Sequence, residues 1–196
     1  MSQNIEIEFK NMITKQEFEK VKQFFAIKEI DFFTQENHYF DTPDFALKEQ
    51  GSALRIRKKA DQYELTLKQP HPDGLLETNE NLDAETANQI FANGHINNEK
   101  ILSILTNMSI DPKRIRYFGS LTTKRAEIAF QEGLLVLDNS YYLTIEDFEI
   151  EYEVSNREKG EAIFLALLEK LSIPIRQTEN KIKRFYFEKY KQDYSE

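Results

Sequence analysis

The chain's 196 residues, suited to a single domain spanning 1–196, carry 26 Lys and Arg against 34 Asp and Glu, a net charge of −8. There is no cysteine, which excludes a disulfide scaffold, a thiol nucleophile and Cys-ligated zinc or iron–sulfur sites, and the acidity argues against a duplex DNA binder. No run approaches the ~18 apolar residues of a membrane span, and the opening MSQNIEIEFK lacks the basic start and apolar core of a signal peptide, so a cytoplasmic globular protein without a membrane partner is expected.

Residues 4–10 alternate, with Ile5, Ile7 and Phe9 on one face and Glu6, Glu8 and Lys10 on the other, the period of two that defines a strand. A helix is expected from about Thr14, because Thr14 and Glu17 have capping-box spacing and Phe18, Val21, Phe24 and Phe25 form an apolar stripe. Residues 34–41 read as extended. Residues 41–45 read as a turn, since Pro43 disfavours helical geometry at Thr42. Residues 52–59 and 63–68 alternate again and are joined by a short hairpin loop. Residues 70–74 form a loop before a strand over 75–82. Helical stretches follow over 84–92 and 98–107, with Asn93-Gly94 as the stop between them. Strands return over 116–125, 126–130 and 134–138, with a turn at 131–133. Residues 148–154 are the clearest strand of the second half: Phe148, Ile150, Tyr152 and Val154 face one way, Glu149, Glu151 and Glu153 the other. Helices over 156–171 and 178–190 complete the chain, with a fraying tail from 189 to 196. About eight strands with helices in two clusters make an α+β pattern rather than an alternating βαβ one.

The second face of these strands is charged. It collects Glu6, Glu8, Lys10, Arg55, Arg57, Lys59, Glu64, Lys68, Glu77, Arg125, Glu127, Asp138, Glu149, Glu151 and Glu153, nine acids and six bases. One arrangement is an ordinary amphipathic sheet with that face in water. The other is a barrel with helices outside and charges inside, because eight strands leave room for side chains or one small ligand. Three features favour the barrel. Glu149, Glu151 and Glu153 follow one another with no base between, and like charges repel on a free surface. The bases Arg55 and Arg57 lie close in sequence to Glu64 and Lys68. The opposite faces are apolar and need covering. Unpaired burial of so many charges would exceed a domain's stability of about 5–15 kcal/mol. Such an interior is therefore paired, wet or ligand-binding. Carboxylate clusters suit hard divalent cations, and Arg and Lys suit phosphate oxygens, so a metal–polyphosphate complex is the ligand expected.

Glu6-Ile-Glu8-Phe-Lys10 resembles the N-terminal signature strand of the CYTH superfamily, the triphosphate tunnel metalloenzymes. The resemblance continues in order through His38-Tyr-Phe-Asp-Thr42, Ala53-Leu-Arg55-Ile-Arg57, Glu64-Leu-Thr-Leu-Lys68, Thr123-Lys-Arg125, Leu137-Asp138 and Glu149-Ile-Glu151-Tyr-Glu153 to a basic segment at Lys181. It implies an eight-stranded antiparallel β-barrel tunnel with surrounding helices, Mg²⁺ or Mn²⁺ as cofactor, and a small-molecule triphosphate as substrate. By the same carry-over, Glu6, Glu8, Asp138, Glu149 and Glu151 would ligate metal. Lys10, Arg55, Arg57, Lys68, Arg125, Lys181 and Arg184 would hold phosphates, with Lys181 favoured over Lys183 for the inward position. Glu6, Glu8, Lys10 and Glu151 would carry the catalysis.

Metal-dependent hydrolysis of inorganic or organic triphosphates is the activity the resemblance favours. Class IV adenylyl cyclase chemistry, giving cAMP and pyrophosphate, and a non-catalytic nucleotide or polyphosphate binder are the alternatives. The sequence contains no P-loop motif, so a phosphate cradle would be built of side chains. His38, His71 and His95 are scattered and read as surface or structural residues, and most of the Phe and Tyr side chains read as core. Tyr39, beside the polar Asp41-Thr42 turn, is the exception. A homodimer stays open, since the oligomeric state is not fixed by any of these features.

Overall fold

The computed structural model describes residues 2–193; Met1 and residues 194–196, the end of the tail expected to fray, lie outside the described residues. The strands are β1 Ser2–Ile13, β2 Phe33–Asp41, β3 Ala53–Lys59, β4 Gln62–His71, β5 Gly74–Leu82, β6 Arg116–Phe130, β7 Gly133–Tyr142 and β8 Ile145–Val154. They close into a barrel in the order β1-β5-β4-β3-β2-β6-β7-β8. The helices are α1 Lys15–Phe24, α2 Ala46–Glu49, α3 Ala84–Asn93, α4 Glu99–Asn107, α5 Arg157–Lys170 and α6 Lys181–Asp193. The antiparallel barrel with helices is the α+β architecture expected.

Local chemistry explains most boundaries. The capping box at α1 closes both ways: the Glu17 N–H donates to Thr14 Oγ1 at 3.2 Å, and the Thr14 N–H donates to Glu17 Oε2 at 2.7 Å. Asp83, Asn98 and Asn156 cap α3, α4 and α5 through their side chains alone, accepting from the N–H groups of Thr86, Ile101 and Lys159. Gly94 ends α3 at φ 73°, a conformation that favours glycine.

Four expectations change. Residues 116–125 and 126–130 form one strand, β6, which stays in register with β7 from Thr122↔Tyr141 to Phe130↔Gly133. The loop expected at 70–74 shrinks to a tight turn, since β4 runs through Pro70 to His71, and His71 pairs with Gly74. The 41–45 turn leads directly into the short helix α2. The Asp41 carboxylate accepts from the N–H groups of Thr42, Leu47 and Lys48 at 2.7, 2.9 and 3.1 Å and so holds that helix start. The last helix continues to Asp193, so residues 189–193 are helical. Tyr39 is buried in the body of β2.

The chain divides into two compact units, Met1–Ile5 with Glu36–Ser120, and Glu6–Gln35 with Leu121–Glu196. In the first, Leu54, Ile56, Leu65 and Leu67 of the β3–β4 hairpin pack with Ile90, Ile101 and Leu105 of α3 and α4. In the second, Leu135, Leu137, Ile150 and Tyr152 of the β7–β8 hairpin pack with Phe18 and Val21 of α1 and with Phe164, Leu167 and Leu168 of α5. Each helix pair thus covers the apolar face of one hairpin. That disposition leaves the charged face of the same strands for other work.

Candidate functional site

In the second unit, strand register assembles a charged cluster. Arg125 stands opposite Asp138 across β6–β7, and Asp138 stands opposite Glu149 across β7–β8. Lys10 faces Glu151 and Glu8 faces Glu153 across β1–β8. Period-two alternation on four neighbouring strands therefore puts these side chains on a common face.

Arg125 grips Asp138 as a fork, with Nε to Oδ1 at 2.8 Å and Nη2 to Oδ2 at 2.7 Å, and Nη2 also reaches Glu151 Oε2 at 2.9 Å. Lys181, the first residue of α6, brings Nζ to 2.8 Å from Asp138 Oδ2, 2.9 Å from Glu149 Oε2 and 2.5 Å from Glu151 Oε1. Arg184, one helical turn on, donates Nη2 to Glu149 Oε2 at 2.7 Å and Nε to Asp147 Oδ2 at 3.0 Å. Lys10 pairs with Glu8. Asp138, Glu149 and Glu151 are all buried.

The protonation pattern follows from this crowding. Burial works against the charge on Lys181, yet the carboxylates of Asp138, Glu149 and Glu151 outweigh it and hold the ammonium well above its usual range. Burial also opposes ionisation of Glu151, but Lys181, Arg125 and Lys10 keep its carboxyl well below the usual carboxylate range. At Glu149 burial prevails over the nearby cations and the carboxyl is pushed up. At Glu153, burial and the charge of Glu6 push the carboxyl up to about 7.

The first unit carries a second cluster. Lys68 stands opposite Glu77 across β4–β5, with Nζ 2.6 Å from Oε1, and Arg55 Nη2 lies 3.9 Å from the same oxygen. Glu77 Oε2 accepts from Asn4 Nδ2 at 3.5 Å and Asn79 Nδ2 at 3.4 Å. Burial alone would raise the Glu77 carboxyl, but Lys68 and Arg55 bring it down to about 2. The Arg55 Nε is buried with no hydrogen-bond partner among the described residues. Arg57 stands opposite Glu64 and donates Nε to Asn37 Oδ1 at 3.1 Å.

Of the residues expected from the sequence, Lys10, Arg125, Asp138, Glu149, Glu151, Lys181 and Arg184 converge in the second unit, while Arg55, Arg57 and Lys68 stand in the first. Glu6 and Glu8 bear on Glu153. Lys183 turns to Glu179 at 3.0 Å, so Lys181 and Arg184 are the members of that basic run that reach the cluster. Glu127 is exposed. Two residues were missed. Asp147 Oδ2 accepts from the Tyr142 hydroxyl at 2.8 Å as well as from Arg184, and together these hold the guanidinium over β8. Asp147 shares the odd-numbered parity of Glu149, Glu151 and Glu153, a signal that starting the strand at 148 cut off.

The donor set fits a hard divalent cation. It is all oxygen, it is concentrated on two adjacent strands, and Glu149 Oε1 is buried without a hydrogen-bond partner among the described residues. No group of three His, Cys, Asp or Glu among the described residues stands ready as a cage; Asp138, Glu149 and Glu151 close on Lys181 instead. No helix among the described residues is long and apolar enough to cross a membrane.

Residues 4–186 match the family model described as CYTH domain. The chain is 49% identical over 193 residues to the Bacillus subtilis (strain 168) protein named "Putative triphosphatase YjbK", which covers 97% of this chain and 99% of that protein. Among solved structures, the Bacillus halodurans protein bh2851, described as a "putative adenylate cyclase", is 44% identical with a TM-score of 0.92, covering 95% of this chain and 100% of that one. HpAC1 from Hippeastrum is 22% identical with a TM-score of 0.77, covering 93% and 95% of the two chains, a likeness of fold.

Proposed function

The chain belongs to the CYTH domain family, and from that premise we propose that it is a divalent-metal-dependent triphosphatase acting on inorganic tripolyphosphate or an organic triphosphate. The observation that carries this reading is the convergence of buried Asp138, Glu149 and Glu151 beside Arg125, Lys181 and Arg184. The name of the 49% identical relative supports the same class.

Mg²⁺ or Mn²⁺, when bound, supplies charge neutralisation on phosphate oxygens and an acidified water. Asp138, Glu149 and Glu151 would hold it, with Glu6 and Glu8 contributing from β1. Arg125 keeps Asp138 oriented through its fork, so that this carboxylate needs no reorganisation when the ligand arrives. Arg55, Arg57 and Lys68 are assigned to phosphate oxygens, as are Lys10, Lys181 and Arg184. Phosphoryl transfer demands positioning and charge stabilisation more than covalent help, and cationic side chains meet that demand. Glu77 keeps Lys68 and Arg55 in place in advance.

The test is phosphate release from tripolyphosphate, ATP and thiamine triphosphate in the presence of Mg²⁺ or Mn²⁺. Release that a chelator abolishes is expected. No turnover of any of the three would point to a binding module, and cAMP appearing with pyrophosphate from ATP would point to a cyclase.

A further inference from the structure

The ammonium of Lys181 lies 2.5–2.9 Å from one oxygen each of Asp138, Glu149 and Glu151. A small divalent cation takes carboxylate oxygens at about 2.0–2.1 Å for Mg²⁺. An ion bound through those same three oxygens would have to compete with the nitrogen already touching them. The ammonium and a metal bound through these oxygens therefore compete for the trio.

We infer that Lys181 is a built-in counter-ion that holds the cation position among Asp138, Glu149 and Glu151 and is displaced by the incoming metal, which couples metal loading to phosphate binding. The inference rests on the proposed metal role of those three carboxylates.

Two consequences follow. The metal alone binds more weakly than its oxygen ligands would allow, because it must first evict a well-paired cation. A displaced ammonium would lose its anionic partners, and a phosphate would restore one to it. Arg125 and Arg184 are different. Arg125 keeps a bidentate hold on Asp138, and Arg184 is also tied to Asp147 and to the Glu179 carbonyl. Lys181 has a flexible stem and a single nitrogen, so it is the cation of the three that can leave without undoing another anchor.

The experiment is a Mn²⁺ titration of the full chain without phosphate, with free Mn²⁺ read by electron paramagnetic resonance, for the unmodified protein and Lys181→Met. Lys181→Met should bind Mn²⁺ about tenfold or more tighter, because its site no longer has to be vacated. Equal or weaker binding by Lys181→Met, with the unmodified chain still binding, overturns the inference and leaves the metal reading standing. If neither protein binds Mn²⁺, the metal reading falls and the inference with it. Should Lys181→Met fail to fold, the unmodified chain answers alone. Mg²⁺ should then raise the rate at which a water-soluble acylating reagent modifies Lys181, measured by mass spectrometry with Lys183 as internal reference, and an unchanged rate while Mg²⁺ binds overturns it.

Discussion

The two charged clusters are inversions of each other. In the first unit, Lys68 and Arg55 surround the carboxylate of Glu77. In the second, the carboxylates of Asp138, Glu149 and Glu151 surround the ammonium of Lys181. Both arise from the same device, charged residues alternating with apolar ones along paired strands. Which charge is in excess decides what each can receive. A cationic excess around one tethered carboxylate suits an anion, and an anionic excess around one removable cation suits a metal. Glu77 and Lys181 occupy matching places, each ion-paired with the opposite charges around it.

The largest effect expected from this comparison is on the anionic cluster. Glu151→Gln should lower turnover of tripolyphosphate by at least about a hundredfold, since it removes a metal ligand and a partner of Arg125 and Lys181 together. Circular dichroism should show the fold retained. Glu6→Gln tests the β1 contribution in the same assay, and full activity in both variants would refute the carboxylate assignment.

Next come Arg55→Ala and Lys68→Ala in the cationic cluster. Each should raise KM by roughly tenfold, the worth of one charge-assisted phosphate contact, and leave the Mn²⁺ titration unchanged. A parallel loss of Mn²⁺ affinity would erase the division between the clusters.

Asp147→Asn comes third. It keeps the shape but weakens the hold on Arg184, and kcat should fall by about tenfold with little change in KM. Tyr142→Phe, which removes one hydrogen bond to Asp147, should give a smaller loss in the same parameter. A KM effect as large as that of Arg55→Ala would show Arg184 acting on the substrate directly.

The smallest effect is on stability against pH, and it has opposite sign in the two units. The Glu77 carboxyl is lowered to about 2 in the fold. The unfolded chain thus binds more protons there, so its stabilisation is full above the ordinary carboxylate value near 4.5 and is lost as pH falls towards 2. The Glu153 carboxyl is raised to about 7. Its protonated form therefore favours the fold at low pH, and that contribution fades as pH rises from about 4.5 through 7. In metal-free thermal melts, Glu77→Gln should flatten the acid-side fall in Tm, and Glu153→Gln should flatten the decline towards neutral pH.

The charged faces were legible because parity is a local property. Reading Glu149, Glu151 and Glu153 as one face required nothing beyond the residues between them. The eight strands and the helical covers followed from the same patterning. What parity cannot supply is the partner. Lys181 meets Asp138, Glu149 and Glu151 only because α6 begins where it does, and nothing within a few residues of Lys181 encodes that approach. Lys181, Lys183 and Arg184 look alike in sequence and differ only in direction. The continuity of β6 was also hidden, since the expected break between Arg125 and Ala126 is bridged only by pairing with Asp138 and Leu137 of β7. Asp41 reads as a turn residue, and its service as the anchor of α2 appears only when Leu47 and Lys48 fold back onto it.

The division of labour between the clusters is tested most directly by anomalous diffraction at the manganese edge, from crystals grown with Mn²⁺ and a non-hydrolysable imidotriphosphate. A manganese peak within coordination distance of Asp138, Glu149 and Glu151, with the Lys181 ammonium moved off those oxygens, is the expected result. A peak at Glu77 in the first unit, or manganese bound while Lys181 keeps all three carboxylates, would contradict it.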